Sequence, residues 1–281
     1  MHLALLQAQQ NELYRFDQPD KRYTMQQAKA LQQDMMDETF AMMQAAKGCD
    51  LVVTTEAVNY PGDPEKLQGD WMTLLPDESS PLWEKLSQEA KKLNAYLVYG
   101  CYRLKGGKPY NTAMIYGPDG ALAEAYDKIQ LAPGGEQIHL TPGSRFVTVD
   151  APFGRFAPCI CWDMQFPEIP RTLALMGARL VVCPTWGWEG VYAHARAYEN
   201  DIYVAGAMAV PAWMPIQGLR NPSEVVAQWG EVIASAPRDR AAVLTCELDL
   251  SRHSDEYPLH MGDRRPEMYG ALTGGLRHAN R

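Results

Sequence analysis

Three side chains suited to acyl chemistry fall at the ends of apolar runs. Cys161 closes the run Phe156 to Cys161 inside the stretch GRFAPCICWDMQFPEIPR, Gly154 to Arg171. The run reads as a strand, the residues through Phe166-Pro167-Glu168 as a tight turn, and Ile169 to Met176 as a helix. That reading sets the thiol at the carboxyl end of a strand, near a helix N-terminus. Free N–H groups and the positive end of the helix dipole there favour a thiolate and any oxyanion formed beside it. Glu56 ends the apolar segment Asp50 to Thr55, a position from which a carboxylate can act as a general base. Lys128 lies just past a hairpin among apolar Ile129, Leu131 and Ala132. An ammonium held there can neutralise developing negative charge. Each residue also has an ordinary structural explanation on its own. Free cysteines are among the most buried residue types, strand ends commonly carry acids, and most lysines are solvated.

The elements that must position these groups alternate. Strands are expected over 2–9, 50–55, 95–104, 156–161, 180–186 and 202–209, and again near 224–228, 231–235 and 241–248. Helices are expected over 24–47, 80–94, 169–176 and 190–201. Residues 111–117 and 121–126 form a hairpin around Pro118-Asp119-Gly120. The aperiodic stretch Tyr126 to Phe146 holds Lys128, Glu136 and His139 among several Gly and Pro. Loops of that length in compact domains usually serve function. Nothing reads as an interdomain linker, so the chain is expected to be a single α/β domain over 1–281, with an aperiodic tail from about 250.

Composition excludes several classes of function. The 281 residues carry a formal net charge of −8, and the longest basic clusters are Lys91-Lys92 and Arg264-Arg265. No stripe exists for a nucleic-acid backbone to follow. No apolar run approaches a membrane span. The opening MHLALLQAQQ lacks a basic n-region and reads as a strand, so a cytoplasmic protein is expected. Six cysteines occur without a CxxC pair, and six histidines without an H-x-x-x-H spacing. No metal and no organic cofactor is expected, and the thiols should stay free.

The order and contexts of Glu56, Lys128 and Cys161 resemble the nitrilase superfamily of carbon–nitrogen hydrolases. The likeness runs along nearly the whole chain. It includes YNTA at Tyr110 to Ala113, GPDG at Gly117 to Gly120, the YDKI segment around Lys128, and TPG at Thr141 to Gly143. It continues through C-x-D-x-x-FPE at Cys161 to Glu168, RAYEN at Arg196 to Asn200, and RRPEMYG at Arg264 to Gly270. Each motif alone is weak, and the shared order makes the set specific. The resemblance implies a four-layer αββα sandwich that dimerises through a face of helices, giving a homodimer or a higher even oligomer. It also implies a Glu–Lys–Cys triad of Glu56, Lys128 and Cys161, an assisting glutamate at Glu136, and an oxyanion contact from the Trp162 backbone N–H. The implied reaction is hydrolysis of a small amide through a thioester, giving a carboxylic acid plus ammonia or amine.

The chain departs from many relatives at Thr54-Thr55, where they have Phe-Pro, and at Gln165, where they have Arg. It also lacks the glycine that often precedes Ser223 by two residues. Cys161-Trp162 is similar to the true nitrilases, which usually continue with Glu where this chain has Asp163. Amide hydrolysis is therefore preferred over nitrile hydrolysis, with N-carbamoyl amino acid hydrolysis, acyl transfer to an amine and a silent scaffold as alternatives. A papain-like protease would need a histidine partner for Cys161, and none sits at a matching strand end. Tyr60, Trp186 and His194 are the candidate substrate-binding residues, with Trp188, Trp213 and Met214 as further aromatic or flexible groups near loops. Arg196 and Glu199 either brace the site or form a structural ion pair.

Overall fold

In a computed structural model of the 281-residue chain, residues 1–253 and 261–273 are described. Twelve strands build two six-stranded sheets: β1 (His2–Gln7), β2 (Leu51–Val53), β3 (Tyr96–Lys105), β4 (Lys108–Tyr116), β5 (Leu122–Asp127), β6 (Val149–Ala151), β7 (Gly154–Pro158), β8 (Leu180–Thr185), β9 (Tyr203–Met208), β10 (Glu224–Val226), β11 (Val232–Ser235) and β12 (Ala242–Glu247). The first sheet has the order β12-β1-β2-β3-β4-β5 and the second β11-β10-β9-β8-β7-β6. In each, three central strands run parallel and antiparallel strands extend both edges. The helices are α1 (Met25–Met43), α2 (Pro81–Leu93), α3 (Gly135–His139), α4 (Glu168–Leu175) and α5 (Gly190–Asn200).

Side-chain alternation explains why the central strands read as unbroken apolar runs. Leu3 and Leu5 of β1 join Val53, Val98, Phe156, Leu180 and Val182 in a core between the two sheets. Ala4 and Leu6 point the other way, onto Phe40 and Met43 of α1 and Leu86 and Ala90 of α2. Across the sandwich, Val181 and Val204 face Ile169 and Leu173 of α4 and Ala193 and Ala197 of α5. Strands covered on both faces lose the polar alternation of half-exposed ones. The layers are thus helix, sheet, sheet, helix, as expected. The helices start where the sequence supplies caps. Thr24 and Gln27 form a reciprocal capping box on α1, and Ser80 with Pro81 opens α2.

Two features differ from the sequence reading. β4 begins at Lys108 and pairs with β3 through a two-residue turn at Gly106-Gly107, both with positive φ. Glycine pairs suit such a turn because both central residues need φ > 0. The aperiodic stretch holds α3, which at five residues is too short to leave a helical period. The tail beyond 250 contains the short turns Pro266–Met268 and Gly270–Thr273, while 254–260 and 274–281 lie outside the described residues.

One close approach sets the position of the strand-end acid. After β2 the chain leaves the sheet and arches over Gly100 of β3. Gly100 N–H donates to Thr54 Oγ1 at 3.0 Å, and Val58 N–H donates to Gly100 O at 2.9 Å. A Cβ on Gly100 would lie 2.3 Å from Thr55 O, 2.9 Å from Glu56 Cα and 3.1 Å from Pro184 Cβ. Two backbone atoms and a proline of the opposite sheet leave no room for one methyl group. Gly100→Ala is expected to cost about 1–3 kcal/mol, the usual range for overpacking, and to push the Glu56 turn off its seat. Chemical denaturation measures the cost, and an unchanged midpoint with an unchanged slope would contradict the close approach.

Candidate active site

The three sequence candidates leave three different strands and meet in one cavity. Glu56 lies three residues past β2, in a turn where Ala57 has φ 47°. Tyr14 OH pins that turn by donating to Ala57 O at 2.9 Å. Lys128 directly follows β5, and its N–H still donates to Asn111 O at 2.8 Å. Cys161 lies three residues past β7 and opens a 3-10 turn, Cys161–Gln165. Along the chain the thiol thus stands seven residues ahead of α4, which starts at Glu168. Pro167 accounts for the gap, since a proline drives the preceding residue out of helical geometry; Phe166 is extended, with φ −102° and ψ 107°. Cys161 itself has φ 44°, a left-handed conformation uncommon outside glycine and often found at functional sites. Its N–H points at Cys183 Sγ, 3.1 Å away.

A hydrogen-bonded ion cluster fills the back of the cavity. Lys128 Nζ donates to Glu56 Oε1 at 2.8 Å and to Glu136 Oε2 at 2.7 Å. Asn111 Nδ2 donates to the Oε1 atoms of both glutamates, at 2.7 Å each. Ala132 N–H adds a bond to Glu136 Oε2 at 2.7 Å. Glu56 Oε2 accepts from Trp186 N–H at 3.1 Å, a backbone group of the opposite sheet. Glu56 and Lys128 are 3% and 1% exposed, so the charges are offset by one another rather than by water.

Burial decides the protonation behaviour. It pushes the Glu56 carboxyl above the ordinary glutamate range; the Lys128 charge pulls it back down, and Glu136 adds to the rise. Burial acts against the Lys128 ammonium, but Glu56, the Cys161 sulfur and Glu136 outweigh it and hold it well above the ordinary lysine range. The Cys161 thiol is pushed up to about 12 by burial and by the Glu56 charge, with Lys128 opposing. At neutral pH Lys128 is thus an ammonium and the Cys161 thiol is protonated.

The cavity measures about 350 Å³ and is lined by Glu56, Lys128, Glu136 and Cys161, with Tyr60 and Trp186 among the aromatic walls. Tyr60, Tyr14 and Trp186 pack in a triangle, with ring centroids 4.9, 4.9 and 4.8 Å apart. His194 is not brought to this cavity. It sits on the exposed side of α5, whose inward positions are Tyr192, Ala193, Ala197 and Asn200. Trp188 is fully buried and donates to Glu224 Oε1 at 2.6 Å, and Trp213 lies under the Arg15 guanidinium. Arg196 pairs with Glu199 at 3.2 Å and reaches Gln165 O at 3.4 Å, a brace behind the Cys161 turn. The first backbone bond of that turn runs from Asp163 N–H to Ile160 O at 3.0 Å, which leaves the Trp162 amide ahead of it. Among the described residues, no group of three His, Cys, Asp or Glu side chains could hold a metal ion, and no helix is long and apolar enough to cross a membrane.

Two residues central to the cluster had no role assigned from sequence. Asn111 bridges both glutamates. Its only signal was its place in YNTA. Asp163 is fully buried and accepts from Tyr126 OH at 2.8 Å, Gln130 N–H at 2.8 Å and Ile160 N–H at 2.9 Å. It ties the Cys161 turn to the Lys128 loop. Burial pushes its carboxyl up to about 6, against the pull of Lys128 and of these bonds.

Comparison with known proteins agrees with this architecture. The carbon–nitrogen hydrolase family pattern matches residues 2–255. Omega-amidase NIT2 of Homo sapiens is 34% identical over 231 residues, covering 76% of this chain and 82% of that protein. Hydrolase C26A3.11 of Schizosaccharomyces pombe is 31% identical over 221 residues, covering 72% and 68%. Among solved structures, Nit3 of Saccharomyces cerevisiae, a member of the nitrilase superfamily, superposes with a TM-score of 0.69 at 24% identity, over 95% of this chain and 96% of that one. A cysteine-to-alanine mutant of the Nesterenkonia AN1 amidase gives 0.74 at 22% identity, over 97% of each. By sequence along nearly its full length and by fold, the chain belongs to the carbon–nitrogen hydrolase family, within the nitrilase superfamily.

Proposed function

We propose that the protein hydrolyses a small carboxamide through a thioester on Cys161, with Glu56 as general base and acid and Lys128 as the fixed cation. The observation that carries this reading is the convergence of Cys161, Lys128, Glu56 and Glu136 on one partly apolar cavity. The omega-amidase relatives support it. So does a glutamate-to-glutamine mutant of the amidase from Nesterenkonia sp. AN1, whose active-site cysteine carries the acetamide moiety of fluoroacetamide.

The steps follow from the cluster. Glu56 Oε1 is occupied by Lys128 and Asn111, while among the described residues Oε2 accepts only the Trp186 N–H. A lone pair on Oε2 is left for the thiol proton. As the proton moves, Cys161 Sγ bonds to the amide carbon and the carbonyl π electrons move to oxygen. The Lys128 ammonium and the Trp162 N–H stabilise that oxyanion, commonly the largest single contribution to catalysis. The carbon–nitrogen bond then breaks, and Glu56 returns its proton to the departing nitrogen. Water, deprotonated by Glu56, attacks the thioester. The acid leaves, and the proton returns to sulfur. A thiol held near 12 makes this coupled transfer necessary. Glu136 touches no reacting atom; with Asn111 and Ala132 N–H it positions Lys128.

Pairing of copies through the α4 and α5 face belongs to the same proposal. Val191 and Tyr198 of α5 are 75% and 45% exposed, and Trp229 beside them 43%. Apolar side chains grouped on one helix face mark an association surface. Six free thiols suit a reducing compartment.

Three outcomes are expected. Intact-protein mass spectrometry with a panel of amides, ureido acids and nitriles should show an acyl adduct on wild type and none on Cys161→Ala, with ammonia or amine released. Turnover surviving in purified Cys161→Ala would refute the nucleophile. Activity should rise with pH as Glu56 ionises, with a midpoint above the ordinary glutamate range. Asn111→Ala removes a bond that favours the charged form, so this acid limb should move to higher pH, with a rate loss of roughly tenfold or more at neutrality; a limb that stays put or moves down would refute Glu56 as the base. Light scattering should report a dimer or a larger even assembly for wild type and smaller species for Val191→Lys; equal masses would rule out this face.

A further inference from the structure

Glu224, the first residue of β10, is a buried acid that the reaction steps leave unused. It is 2% exposed and does not line the cavity. Its hydrogen-bond partners among the described residues are both neutral. Trp188 Nε1–H donates to Oε1 at 2.6 Å, and Asn221 Nδ2 donates to each carboxyl oxygen at 3.2 Å. Acids buried this deeply are usually paired with a cation. Here N–H donors converge instead, and a side chain with two acceptor oxygens satisfies them together. A glutamine would turn its own NH2 against one of them.

The indole that Glu224 holds is fixed on its other sides as well. Glu224 pairs across the sheet with Gly206 of β9, and the Trp188 ring lies on that glycine. A Cβ on Gly206 would stand 2.5 Å from Trp188 Cδ2. Tyr192 of α5 meets the ring edge-on, with centroids 5.6 Å apart. The backbone is fastened at the same place: Asn221 N–H donates to Trp188 O at 2.7 Å, and Glu189 forms a β-bridge with Arg220.

The segment leading into Trp188 touches both reacting side chains. Trp186 N–H donates to Glu56 Oε2 at 3.1 Å, and Trp186 Nε1–H to Glu56 O at 2.9 Å. Gly187 lies against the thiol, since a Cβ there would stand 3.9 Å from Cys161 Sγ. The anchor at Trp188 is thus two residues along the chain from the bond to Oε2.

We infer that Glu224 is a positioning residue for the reaction: through Trp188 it holds the Trp186 N–H on Glu56 Oε2 and so aims that oxygen at Cys161. This rests on the amidase reading and deepens it. A looser Trp186 N–H stabilises the Glu56 carboxylate less, so Glu56 ionises at higher pH. The other groups facing Glu56, namely Lys128, Glu136, Asn111, Cys161 and Tyr14, are left in place by a change at Glu224.

The test follows kcat/KM against pH for a primary amide that wild type hydrolyses. In Glu224→Gln, kcat should fall about tenfold at neutrality with KM little changed, and the acid limb should move to higher pH. A purely structural loss would lower the rate by one factor at every pH and leave the limb in place. Trp188→Phe keeps a ring over Gly206 and removes only the indole donor, so it should move the limb the same way. An unmoved limb in both variants overturns the inference. Glu224→Gln combined with Asn221→Asp reverses the polarity of the pair: the new amide donates to the new carboxylate while its oxygen still accepts from Trp188. Rate and limb should return toward wild type, and no recovery overturns the inference. A second readout needs no turnover: the rate of Cys161 alkylation by iodoacetamide against pH, followed at the Cys161 peptide by mass spectrometry. Its acid limb should move with Glu224→Gln and return in the double variant. If wild type hydrolyses no amide, the amidase reading falls, and the alkylation profile alone still decides whether Glu224 sets Glu56.

Discussion

A buried ammonium held between one buried and one partly buried carboxylate is the constraint on which the rest of the site depends. Lys128 Nζ lies 2.8 Å from Glu56 and 2.7 Å from Glu136, with almost no water to share the charge. Removing one partner of such a cluster leaves an uncompensated charge, typically at a cost of about 3–5 kcal/mol. The cluster persists because neutral donors complete it. Asn111 and Ala132 N–H occupy carboxylate lone pairs that would otherwise be unsatisfied. The cation is thus held by fixed protein groups rather than by mobile water.

The two sheets are needed together to hold it. Glu56 and Lys128 follow strands of the first sheet, and Cys161 follows a strand of the second. Two sets of bonds cross between them. Trp186 N–H and Nε1 reach the Glu56 carboxylate and carbonyl, and Asp163 collects Tyr126 OH and Gln130 N–H. The Cys161 thiol is thereby registered against Glu56 and Lys128 through buried hydrogen bonds rather than through loop length. Aromatic rings of Tyr14, Tyr60, Tyr102 and Trp186 close over the same junction.

What was legible in the sequence follows from what leaves a local pattern. Strands covered on both faces appear as apolar runs, so the core of each sheet and the strand-end positions of Glu56 and Cys161 could be read directly. Lys128 could be read from the hairpin before it and the apolar residues after it. Asn111 could not, because its role comes from two glutamates 55 and 25 residues away that only the fold brings near. Five-residue α3 is shorter than any detectable period. His194 looked like a site residue because it follows a loop rich in tryptophan, but the phase of α5 turns it to solvent. The turn at Cys161 has 3-10 geometry, too short to leave a period in the sequence, and the helix after it begins at Glu168, within one residue of its expected start.

The left-handed backbone at Cys161 narrows what evolution can do with this position. A φ of 44° is costly for side chains branched at Cβ, which crowd the flanking carbonyls. Serine shares the unbranched geometry of cysteine, whereas threonine does not. An oxygen nucleophile can therefore enter this turn only as a primary alcohol. Serine in turn lacks the acidity and soft electrons of sulfur. The backbone at one residue thus limits which side chains can stand here: threonine is disfavoured by shape, and serine brings a less acidic group.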